Sequence, residues 1–252
     1  MEGPKLDKFS EHGFGKLPEQ IQWKLYRAKQ HFEEFGREAS AWMNAGPGEM
    51  VFAPESTAQK IVYMYQSKER VPARFGLIAG DFLQNLRSVL DYLVWQLILA
   101  NGKTPHETNT GFPVCKSLSA FDKAKDRKLA GVPSEAITLI EAFMPYPERQ
   151  KGAAPQTIQV LDELTNHNKH RQVLFTALEN IFKPNEPVPF PHIELEIIRH
   201  RGGEPIPGER LIAYIAFQGG IVDGLEVTAT LSAIMDWVGY DVLTQFEKFF
   251  VK

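Results

Sequence analysis

The run from Pro72 to Asn101 constrains this chain more than any other feature. Pro72 stands where a helix can begin, apolar residues follow almost all round to Ala100, and Asn101-Gly102 provides a stop with glycine free for the left-handed cap. A helix apolar on every side is buried among other elements rather than laid on a surface. Yet the same run carries Asp81, Gln84, Asn85, Arg87, Ser88 and Asp91. At about 3.6 residues per turn, Asp81, Asn85, Ser88 and Tyr92 share one face, with Gln84, Arg87 and Asp91 on the next. Removing one partner of a buried ion pair costs about 3–5 kcal/mol, so these groups require partners.

A second polar cluster supplies candidates. Asn166-His167-Asn168-Lys169-His170-Arg171, preceded by Asp162, lies between the apolar runs 158–164 and 173–175. Pairing Lys169 and Arg171 with Asp81 and Asp91, and Asp162 with Arg87, would neutralise both clusters. Arginine suits the last pair because its fork can hold a carboxylate bidentately. The first reading is a structural network that fixes helix register. The second is a site with Arg87 as anion binder and His170 as acid or base. Asp81, Asn85, Asp91, Asn166, Lys169 and Arg171 would then contact a ligand.

The rest of the chain reads as one domain over 18–252 after a loose leader, 1–17. Helices are expected at Pro18 to Met43, Ser119 to Lys128, Pro133 to Phe143 and Gln156 to about Asn166, from apolar residues at three- and four-residue spacing. Met50 to Ala53 and Lys60 to Gln66 suggest a hairpin, and 103–117 a loop. Val173 to Phe182, His192 to His200, Arg210 to Gln218 and Leu225 to Thr230 favour strands, and Leu231 to Phe250 an amphipathic helix. Helices first and strands later predict an α+β fold, an antiparallel helical core with a mainly antiparallel sheet from the C-terminal third.

Composition narrows function by exclusion. A net charge of −3 without a strongly basic half argues against dedicated duplex DNA binding. The single cysteine, Cys115, rules out an internal disulfide and makes the cytosol the natural compartment. The apolar stretch 90–100 is interrupted by Asp91 and Gln96 and is too short to span a bilayer. Phosphate-binding glycine loops and a nucleophile elbow are missing, and no cofactor is implied. His167 and His170 lack the spacing usual for zinc on a helix, so no metal is expected. Cys115 has no adjacent histidine and reads as a semi-buried bystander; the basic run Lys123 to Lys128 reads as a solvated helix face.

Gly80-Asp81-Phe82-Leu83-Gln84-Asn85-Leu86-Arg87-Ser88-Val89-Leu90-Asp91 and the later Asn166-His167-Asn168-Lys169-His170-Arg171 resemble the signature of a bacterial family of uncharacterised proteins. Such proteins carry a Gly-Asp-x-x-x-Asn-Leu-Arg-Ser-x-Leu-Asp helix and an Asn-x-x-Lys-His-Arg motif, and the resemblance brings no activity with it. That family's usual Arg-Ser-Ala-Leu-Asp-His is in turn similar to the Arg-x4-His motif of the HEPN superfamily, which includes metal-free ribonucleases. This second likeness implies Arg87 acting on a phosphate at a homodimer interface. Tyr92 stands at the histidine position, so His170 or His167 would have to substitute. The leading expectation is a non-catalytic protein with a structural polar core, an interaction module of unknown partner. The alternative is an HEPN-like ribonuclease or a nucleotide or small-ligand binder using Arg87 and His170.

Overall fold

Apolar spacing fixes the two long helices. In α1, Glu19–Asn44, residues Ile21, Leu25, Ala28, Phe35, Ala39 and Met43 are buried along one stripe. In α2, Ala73–Ala100, the buried stripe is wide, from Phe75 through Phe82, Leu86 and Leu93 to Ile98. It does not close around the helix, however. Asp81, Gln84, Tyr92 and Leu99 are exposed at steps of three, eight and seven residues, and Asn85 and Ser88 are half-buried beside them. The polar residues therefore lie largely along a solvated edge, which corrects the expectation of an enclosed helix.

The computed structural model describes residues 14–52, 63–146, 156–170, 175–182, 192–195 and 210–251. Between the long helices, β1, Gly48–Phe52, pairs antiparallel with β2, Tyr63–Ser67. Shorter helices follow: α3, Leu118–Lys128, α4, Ser134–Ala142, and α5, Thr157–His170. The Ser117 hydroxyl opens α3 by accepting the Ala120 N–H at 3.3 Å. Then come β3, Phe175–Phe182, β4, His192–Leu195, and β5, Arg210–Phe217, antiparallel with β5 in the middle. Helix α6, Val227–Asp236, runs on through a π-helical stretch, Trp237–Leu243, and short turns to Phe249.

The α+β expectation, with a mainly antiparallel sheet drawn from the C-terminal third, is overturned. The described residues are mainly helical, and helices hold several times as many of them as strands do. The predicted strand Leu225 to Thr230 shows why. Its Thr and Val residues suit a strand, but the Glu226 carboxylate accepts the Thr228 N–H at 2.7 Å and also the Ala229 N–H, and this cap starts α6 instead. Only a single bridge, Ala216 to Glu226, is left there of a strand pairing. Of the expected strand His192 to His200, four residues are strand and 196–209 lie outside the described residues. The leader's first 13 residues also lie outside; Phe14–Lys16 forms a 3-10 turn.

The chain packs as two compact units. Residues 14–31, 80–146, 156–170 and 232–251 belong to one, and 32–52, 63–79, 175–182, 192–195 and 210–231 to the other. The first has a core of Leu83, Leu86, Leu90, Phe112, Phe121 and Phe246, all fully or almost fully buried. In the second, Phe35 meets Phe75 and Phe175 edge-on, with ring centroids 5.7 and 5.9 Å away, and Phe175 meets Phe217 at 5.3 Å. Arg74 spans one surface of this unit to Glu34 and Glu38 at 3.1 and 2.7 Å. Among the described residues, no helix is long and apolar enough to cross a membrane.

Glu226 also gives the second unit a pH dependence. Burial pushes its carboxyl above the usual range, more than the N–H groups of Ala229 and Thr228 pull it down. The folded chain therefore holds this proton more tightly than the unfolded chain. Stability from this group is highest below the ordinary Glu range and declines as pH rises from there through the raised value. Glu226→Gln keeps an acceptor for the cap and removes the charge. Melting temperatures from pH 4 to 7 are expected to fall less steeply in the variant; parallel profiles would show that the group titrates alike in both states.

Candidate functional site

Arg87 and Asp91, one turn apart on α2, act together on a single loop residue. Arg87 Nη2 donates to the Phe112 carbonyl at 2.5 Å and lies 3.2 Å from Asp91 Oδ1. The same carboxylate oxygen accepts the Phe112 N–H at 2.8 Å. Both backbone groups of Phe112 are thus satisfied by one ion pair, much as a neighbouring strand would satisfy them. The Phe112 side chain is fully buried. Pairing within the helix displaces the expected Asp162–Arg87 contact: Asp162 instead accepts from Asn166 at 3.2 Å within α5. Arg87 Nη1 is buried and has no hydrogen-bond partner among the described residues.

Gly111 is part of this clamp. A Cβ on it would stand 3.0 Å from Asp91 Oδ1, tighter than ordinary contact, and that oxygen is already held by two donors. Gly111→Ala is expected to cost about 1–2 kcal/mol by forcing the carboxylate off the Phe112 N–H. In an Asp91→Ala background the same substitution should cost almost nothing, because the obstructing atoms are gone. Equal losses in both backgrounds would place the strain elsewhere.

The remaining candidates divide. Asn85 donates to the Asp81 carbonyl at 2.8 Å and receives Lys24 Nζ at 3.4 Å; Ser88 turns back onto the Gln84 carbonyl at 2.8 Å. Lys24 Nζ also lies 6.0 Å from the centre of the exposed Tyr92 ring. These are contacts along the helix edge, and the Asp81 side chain is exposed beside them. In the second cluster, Asn166 to His170 lie within α5. The side chains of Lys169 and His170, and all of Arg171, lie outside the described residues, and with them the expected pairing to Asp81 and Asp91.

The sequence pattern alone does not disclose a cleft that the fold creates. A cavity of about 380 Å³ opens between α3 and the loop after Phe112, lined by Pro113, Val114, Cys115, Lys123, Arg127 and Lys128 among others. The basic run expected to be a solvated face is solvated only in part: Lys123 and Arg127 are exposed, but Lys128 is half-buried. Burial, followed by the Arg87 charge, lowers the Lys128 ammonium, against the opposing pull of Asp91. Burial likewise pushes the Cys115 thiol up, so it is a poor nucleophile. The available signal was the three- to four-residue step from Lys123 and Ala124 to Arg127 and Lys128, which puts them on one side of a helix.

Among the described residues no group of three His, Cys, Asp or Glu side chains comes together in a way that could hold a metal ion. No protein-family model matches the chain, and no curated protein or solved structure matches it significantly.

Proposed function

We propose that the chain is a non-catalytic binding protein and that the Arg87–Asp91 pair is a structural clamp rather than a pair of reacting groups. One observation carries this reading: Arg87 and Asp91 are spent on the carbonyl and N–H of Phe112. A guanidinium that acts on a phosphate has to be open to it, and the Arg87 side chain is 12% exposed. Asp91 is held to the loop through its Oδ1, which faces two donors, the Arg87 guanidinium and the Phe112 N–H. The resemblance to the bacterial family then rests on residues with a mechanical role: the Arg and Asp of its helix hold a loop. The ribonuclease alternative would need His170 in place of the missing imidazole at Tyr92.

The test is RNA cleavage without metal by the wild type, Arg87→Ala and His170→Ala, each with a melting curve. The clamp reading expects no cleavage by any of the three and a large loss of stability in Arg87→Ala. Wild-type cleavage that disappears in folded variants would make the chain a ribonuclease and end this reading.

A further inference from the structure

The cleft between α3 and the loop 113–115 combines features that the clamp does not use. Its basic groups, Lys123, Arg127 and Lys128, come from one face of α3. Among the described residues none of the three has a carboxylate within ion-pair distance, although other lysines do, Lys125 with Asp122 at 3.1 Å included. One acidic group whose field reaches the cleft is otherwise engaged: Asp91, which acts on Lys128, is bound to Arg87 and Phe112. Asp162, whose field reaches Cys115, accepts from Asn166. The rest of the lining comes from apolar residues, Pro113, Val114, Cys115, Ala120 and Ala124.

Half-burying an ammonium beside a guanidinium is unfavourable unless an anion arrives to offset it. A solvated helix face would carry no such strain. The volume, about 380 Å³, falls in the range of small-molecule sites and is too small for a folded partner. Three cations on one wall fit an oxyanion carrying two negative charges better than a single carboxylate. The apolar lining fits a ring or short hydrocarbon attached to it.

We propose that this cleft binds a small phosphate monoester, with the phosphate on Lys123, Arg127 and Lys128 and the organic body against Pro113, Val114 and Cys115. This goes beyond the reading above, because the clamp can hold its loop whether or not the cleft is filled. Binding here requires no chemistry on the ester, and Cys115 serves as wall.

The only cysteine of the chain lines the cleft, so thiol labelling is read at a single position, on the cleft's own wall. Phenyl phosphate is titrated calorimetrically into the full chain, with inorganic phosphate, phenol and a short single-stranded RNA as comparisons. Alkylation of Cys115 by iodoacetamide is followed in parallel. Phenyl phosphate is expected to bind, to slow alkylation, and to bind about ten-fold more weakly in Arg127→Gln and in Lys128→Gln. Arg127 is exposed, so its variant keeps the wild-type melting temperature and isolates the charge from the fold. No binding of phenyl phosphate by wild type overturns the proposal, as does binding that leaves alkylation unchanged or is as tight in both variants as in wild type. Inorganic phosphate binding as tightly as the ester removes the apolar subsite, and tighter RNA binding reassigns the cationic wall to nucleic acid; either result overturns it. None of these outcomes bears on the clamp, which cleavage and melting of Arg87→Ala decide separately.

Discussion

Arg87→Ala is expected to lower the unfolding free energy by about 2–4 kcal/mol in urea titrations. The size of the loss follows from what the side chain leaves behind. Its removal strips the Phe112 carbonyl of its donor and exposes an unfilled space where the aliphatic stem was packed. It also leaves Asp91 without its cation, but the Asp91 side chain is 43% exposed and water can take over part of that role. The loss should therefore fall somewhat below that of a fully enclosed pair. Arg87→Lys keeps the charge but not the fork, and should recover less than half, since one ammonium cannot reach the carbonyl and the carboxylate in the same geometry. A loss under about 1 kcal/mol, the worth of an exposed pair, would mean that the loop is held without the clamp.

The helices of this chain are much more legible in its sequence than its fold class is, for a physical reason. Helix periodicity reports burial directly: Ile21, Leu25 and Ala28, or Leu86, Leu90 and Leu93, are buried where the spacing puts them. Strand alternation in the last third is a weaker signal, and it fails where a local cap competes. Glu226 caps the run Val227-Thr228-Ala229-Thr230, rich in β-branched residues, and the run forms the first turn of a helix. The site is legible in the same uneven way. That Arg87 and Asp91 need partners follows from charge and burial, and their one-turn spacing already makes them partners of each other. Their further target, the backbone of Phe112, is 21 to 25 residues away in a loop, and no periodicity points to it. Asp162 suits Arg87 by charge alone; Asp91 wins because the helix already holds it one turn away.

The same loop joins the two candidate features. Phe112 is gripped by the clamp, and Pro113, Val114 and Cys115 immediately after it form one wall of the cleft. A rigid hold on residue 112 limits how far the next three residues can move relative to α3. Loosening the clamp should therefore be visible at Cys115 as faster alkylation, even before the chain unfolds globally.

Phe112→Ala should be the most damaging single change in this region, at about 3–5 kcal/mol. The ring is fully buried, and losing it removes the apolar anchor of the loop and leaves a cavity in the first unit. Both backbone bonds to Arg87 and Asp91 can persist in principle, since neither involves the side chain, so the comparison with Arg87→Ala sets apolar burial against polar clamping. On these magnitudes burial outweighs the clamp. If the loop docks as one piece, either substitution frees it, and the double variant Arg87→Ala/Phe112→Ala will lose at least about 1 kcal/mol less than the two single losses added. Strict additivity would instead mean that anchor and clamp act on separate events. Cys115 alkylation distinguishes the cases from a second side, because a loop that undocks as a unit exposes the thiol to a similar degree in both single variants and hardly further in the double one.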